Sequence, residues 1–408
     1  MKTWLSFCVL LALISCGQIS YQPASDDATE SLDPDSNISD LPSHRVFVFA
    51  TDYQSSGQLY TATYEDTSTA LSNSDLTMLG TEAKIKWHDN LLYILHAGAG
   101  FNSISTDNLQ IVDPYNTQAP FSTLAQYTTG NGTNPQDVVL SDQKAFISLY
   151  NPKNDPSNVD AEGHPGDVIE MDTESGQITH RYSFYDDLAD DGDRNAHASQ
   201  MVLADDVLYV CLQDLESNTF SATAPGKIGM IDTKQNEMLG IITLQSRNPY
   251  GIALDNAHTR LFITSTYDYQ HQGSYGGLEI VNLDSQQTEL FIKDDVLGGY
   301  VERIRLSDEH AYAVISQFDL ETFEFQSKLV AFPLGITTAD EITNFSIWGT
   351  DIRDIFYQQD TLWVSYRVIS TTEGADTPMI KLFDTNTEEQ LGETLYPLVA
   401  GVSLAGEE

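Results

Sequence analysis

Cysteine is almost missing from this chain: three residues in 408, Cys8, Cys16 and Cys211. That excludes a disulfide framework and a cysteine-rich metal centre. Cations are scarce as well. Lys and Arg number 19 against 60 Asp and Glu, a formal charge of −41. Such a chain repels phosphate backbones and anionic lipid, which excludes nucleic acid as a partner and leaves no electrostatic route to a membrane. The excess acid suits divalent cations, cationic partners or a salty medium, with general solvation of the surface as its simplest single cause. Beyond the first sixteen residues no stretch is apolar enough to span a bilayer. Gly-x-Ser-x-Gly, a Gly-rich phosphate loop and His-Glu-x-x-His are all absent, so hydrolytic chemistry has no sharp signature here.

The start of the chain has its own logic. Lys2 supplies a basic first step, Leu5 to Ile14 form an apolar run, and small Ser15 precedes Cys16. Leu13-Ile14-Ser15-Cys16 resembles the lipobox of bacterial lipoproteins, a resemblance that implies cleavage before Cys16 and lipidation of its sulfur. Gly17 stands where an Asp would imply inner-membrane retention, so the expected place is the outer membrane, facing the periplasm or the medium. Residues 1–15 are then a signal peptide, and 16–44 a lipidated cysteine with a flexible tether rich in Asp, Ser, Pro and Glu. Residues 45–408 form the folded domain. Its one cysteine, Cys211, lies in a strand pattern and reads as a small buried hydrophobe.

Within that domain one unit recurs about every 50 residues. Its clearest copy runs from Asn248 to Lys293: four short β-branched and aromatic segments separated by turn residues. The second segment, RLFITST, has equivalents at Arg45, Leu91, Lys144, Val207, His310 and Thr361. The third recurs with an Asp or Asn that opens a tight turn by capping its own backbone. Blades one and six carry degenerate copies of it, LYTATYED and LVAFPLG. First segments number six, and the tail Pro397 to Gly406 supplies the seventh through its VSL. The expected fold is therefore all-β, a seven-bladed β-propeller closed by a C-terminal strand added to the first blade, so that no edge stays open. The pattern resembles the YVTN-type repeats of secreted bacterial proteins over residues 45–406, and in particular lipoproteins with NPQD-like strand starts and an Asp-rich loop in mid-chain. That group implies a fold rather than a reaction. Only four Trp and no repeated GH…WD pairing argue against WD40 blades.

Long, uneven loops fall on one face: Leu149 to Gly166, Gln213 to Gly226, Tyr267 to Gly277 and Ser370 to Pro378. Function in propellers concentrates on such a face. Aligned by the apolar triplet that follows, the innermost strands give seven equivalent positions: Lys84, Asp137, Gln200, Gly251, Arg303, Asp354 and Gly401. This ring reads as a polar channel mouth that holds ligand or water, or as salt bridges fixing one blade to the next. Asp187, Asp190, Asp191, Asp193 and Asn195 crowd oxygens into a short loop that suits Ca²⁺ or is a solvated acidic loop, with Ala189 at the middle ligand place of the EF-hand pattern. His96, His164, His197 and His271 map to the same face without ligand spacing. The functional expectation is a monomeric, lipid-anchored envelope propeller that binds a partner protein or small ligand through its long-loop face. The alternative is a propeller enzyme, a lactonase-like hydrolase or a periplasmic dehydrogenase subunit, working from Asp137, Arg303 and Asp354 at the channel mouth.

Overall fold

The computed structural model describes residues 45–51, 57–63, 72–78, 82–97, 107–188, 194–216, 221–266, 275–319, 324–335, 341–345, 351–367, 379–395 and 400–406. Residues 1–44, with the expected signal segment, Cys16 and the expected tether, lie outside that set.

The described strands form seven four-stranded antiparallel sheets. In blades two to seven the strands run from the inside outwards in chain order. Blade one is composite: its innermost strand is Ala400–Gly406, which pairs with Arg45–Thr51 through Val46↔Gly406, Phe47↔Ala405 and Val48↔Leu404. Two ends of the chain thus share one sheet, and the ring has no unpaired blade. The other innermost strands are Glu82–His88, Pro135–Ser141, Ala198–Ala204, Pro249–Leu254, Tyr300–Leu306 and Asp351–Gln358.

Strand alternation places successive side chains on opposite faces of each blade, and each face packs against a neighbouring blade. Among the described residues the buried hydrophobics accordingly fall into seven clusters, one at each seam. At the closing seam Val46, Val48, Tyr60 and Leu404 of blade one meet Trp363, Ile380 and Leu382 of blade seven. Between blades three and four, Phe184 is fully buried and lies so close to Gly229 that a Cβ there would sit 2.2 Å from its ring.

Turn chemistry follows the residue types. Asp89-Asn90 and Gln359-Asp360 take positive φ at both positions, the geometry of a two-residue hairpin turn. Asp113, Asp172, Asp232, Asn282 and Asp384 each accept a backbone N–H two or three residues ahead, which closes the turn after the third strand.

Candidate axial site

The seven innermost strands line the propeller axis, and six of them carry a bulge against their second strand. Pro135 faces Leu149 and Asp137 faces Ser148, which leaves Gln136 over. Likewise Tyr250, Glu302 and Arg353 are the extra residues of blades five, six and seven, and the bulge of blade four falls between Ala198 and Met201. Blade two runs in regular register. A bulge turns the following side chain toward the axis and frees its N–H from the ladder. In blade one the extra residue is Val402, since Gly401 faces Ala50 and Ser403 faces Phe49. The seventh ring member is therefore Ser403 and not Gly401, an offset of two residues. The extra residue Val402 lies between the two, so Gly401 falls on the face of Ala50 and Ser403 on that of Phe49, a switch that a count by simple alternation does not register.

Second-strand hydroxyls satisfy the freed groups. Ser148 Oγ accepts the Asp137 N–H at 3.1 Å and donates to the Ser199 carbonyl of the next blade at 2.6 Å. Thr264 Oγ1 does the same for Gly251 (2.9 Å) and the Glu302 carbonyl (3.3 Å). Cys211 holds the corresponding place in blade four, with its sulfur 3.9 Å from the Gly251 carbonyl. Burial pushes its thiol pKa up, and the group is inert.

The ring carboxylates are engaged from blade to blade. Asp137 accepts N–H from Val138 (3.0 Å) and from Met201 of the next blade (3.0 Å), and Lys86 stands 3.2 Å away. Asp354 repeats the arrangement with Ile355 (3.0 Å), Leu404 (2.9 Å) and Arg305 (3.5 Å). Ser403 Oγ accepts the Ile85 N–H at 3.0 Å in the same relation. Both aspartates are buried.

Lys84, Asp137, Gln200, Arg303, Asp354 and Ser403 surround one axial cavity of about 200 Å³. The ring stands at the long-loop end of this cavity. The remaining wall is built from Lys86, Trp87, Arg305, Phe356 and other residues that follow the ring, with Gln136 the one member that precedes it. The cavity thus runs from the ring toward the tight hairpins and away from the long loops. Lys86 and Arg305 were not among the expected site residues. Their signal is the alternation in Lys84-Ile85-Lys86 and Arg303-Ile304-Arg305, which puts both cations of each pair on the axial face.

On the long-loop side of the ring, the Arg303 guanidinium lies 5.1 Å from the centre of the Tyr250 ring. That cation holds the Tyr250 hydroxyl below its ordinary pKa. Glu302 accepts from Ser316 Oγ at 2.8 Å, and burial raises its pKa.

The expected Ca²⁺ loop is described only at its ends. Asp190, Asp191 and Asp193 lie outside the described residues, Asp187 is exposed, and the Asn195 amide nitrogen is 3.1 Å from His197 Nε2. The three described histidines of that set do not converge. His96 is buried against Gln110 (2.8 Å) and burial lowers its pKa, His197 packs on Tyr150 at 4.7 Å, and His164 stacks on Tyr185 at 4.5 Å. His271 lies outside the described residues. Only His164 has carboxylates arranged as ligands could be, Asp160 and Glu162, each 3.8 Å from Nδ1.

No family model matches the chain, and no curated protein matches its sequence. Solved structures do match in fold. A putative 6-phosphogluconolactonase from Bacteroides uniformis superposes at TM-score 0.59 with 12% identity, covering 89% of this chain and 99% of that one. A second, from Bacteroides fragilis, gives 0.57 and 11% over 90% and 98%. A functionally unknown protein from Desulfotomaculum acetoxidans gives 0.55 and 9% over 89% and 98%. At these identities the likeness is one of architecture.

Proposed function

We propose that this chain is a non-catalytic binding propeller, held at the bacterial outer membrane by lipid on Cys16, that receives a small ligand in its axial cavity while its long-loop face remains available to an envelope partner. The state of the two ring carboxylates carries this reading. A general acid or base needs a free lone pair directed at substrate. Asp137 and Asp354 instead spend their oxygens on two backbone N–H groups and a cation each. Removing either one breaks a seam before it affects any reaction. The only described cysteine is buried, which leaves no thiol nucleophile among the described residues.

The lactonase alternative has the shared architecture of the Bacteroides structures in its favour. It is tested by incubating the chain with 6-phosphogluconolactone and following acid release. The rate should equal that of the uncatalysed control. Release above that control reverses the assignment. For the anchor, Cys16→Ala should move the protein from the membrane pellet to the soluble fraction.

A further inference from the structure

The reading above leaves the ligand without a chemistry, and the cavity wall supplies one. Across the chain acids outnumber bases 60 to 19. On the wall the balance inverts: Lys84, Lys86, Arg303 and Arg305 against Asp137 and Asp354, a formal surplus of two positive charges. Backbone N–H groups hold the two carboxylates in place, and these neutral donors leave the charge count unchanged. Lys86 and Arg305 reach them at 3.2 and 3.5 Å. Lys84 forms no ion pair among the described residues, and Arg303 rests on the Tyr250 ring. A surplus of cations between low-dielectric walls focuses the field inward and favours an anion there.

Size and wall chemistry narrow the class. A dry cavity of about 150 Å³ holds benzene. The 200 Å³ here therefore admits a molecule of roughly ten non-hydrogen atoms. Trp87, Phe356 and Ile252 give the wall an apolar share that suits a hydrocarbon body. Phosphate is best bound by convergent backbone N–H groups and Arg forks. The N–H groups of Val138, Met201, Ile355 and Leu404 are already taken by the ring aspartates. We infer that the axial cavity binds a small organic carboxylate with an apolar body, with Lys84 as its chief counter-ion and Arg303 as the second. This inference rests on the binding role proposed above.

Titration calorimetry on the full chain tests it, with benzoate as probe, benzamide as its neutral analogue of the same shape, and inorganic phosphate. Benzoate should give a saturable isotherm, with benzamide weaker by about tenfold or more. Lys84→Gln should weaken benzoate by a similar factor at an unchanged melting temperature. Should that variant fold poorly, raising NaCl on the wild type provides the second readout, and benzoate should weaken while benzamide holds. Silence with benzoate, equal binding of benzamide, tighter binding of phosphate, or full affinity in a folded Lys84→Gln each overturns the inference. The lactone assay on the same samples separates the two readings. Turnover overturns the non-catalytic role whatever benzoate does, and calorimetric silence without turnover overturns the carboxylate site alone.

Discussion

At the scale of single residues, the ring aspartates and Asp167 show how differently burial can act on the same side chain. Asp167 is 3% exposed at the blade three–four seam, and its Oδ2 accepts the Phe184 N–H at 2.8 Å. Burial pushes its pKa up to about 7, against the opposing pull of the Phe184 N–H and the Lys153 charge. A folded-state pKa above the unfolded one means that the native state binds the extra proton. The stabilisation is complete below about pH 4 and is lost as pH rises through about 7. Asp167→Asn keeps an acceptor for Phe184 and cannot ionise. The stability difference between variant and wild type, from urea unfolding at pH 5 and pH 8, should therefore grow in the variant's favour, by about 2–3 kcal/mol. A constant difference across that range would show that the carboxyl ionises without penalty. None of this was legible in the sequence, where Asp167 is one acid among 60. Lys86 and Arg305 were legible in principle, because alternation alone puts each on the face of its ring neighbour. Cys211 was read as a small buried group, and its role as the sulfur counterpart of Ser148 and Thr264 needed the register.

At the scale of elements, the second strands were readable because an aromatic residue followed by β-branched ones survives at each copy, from Arg45–Thr51 to Thr361–Arg367. The bulges were not readable. An inserted residue such as Gln136 or Val402 looks like any other in the pattern, and its effect is to re-aim the neighbour. The closing strand was found from its apolar alternation, and only its ring member was misassigned, Gly401 for Ser403, because the bulge at Val402 is invisible in the pattern. Its importance follows from what it covers. Val46, Phe47, Val48 and Phe49 are fully buried, and Ala400–Gly406 is their pairing partner on the axial side. A chain ending at residue 399 exposes a long hydrophobic edge. Such a chain should elute as aggregate in size exclusion, or unfold in urea with a lower midpoint and a broadened transition. A monomer with the wild-type midpoint would show that the ring holds without its seventh inner strand.

At the scale of the whole molecule, the dominant fact is charge. An excess of 41 negative charges makes the compact state self-repelling. Salt relieves this by shortening the screening length from about 10 Å at 0.1 M to about 3 Å at 1 M. The melting temperature should rise by several degrees as NaCl is raised between those concentrations, measured by calorimetry at fixed pH. A flat or falling curve would mean that local ion pairs outweigh the general repulsion. The same medium should weaken anion binding in the cavity, so the two effects of salt run in opposite directions.

The composite first blade also decides how the domain answers to force. A pull arriving along the chain ahead of Arg45 runs down a strand gripped on both sides, by Gly57–Thr63 and by Ala400–Gly406. Both ladders run along the line of tension, so they must shear together and cannot be peeled apart one bond at a time. The seam that completes the circle is also the one that takes up a load arriving at Arg45.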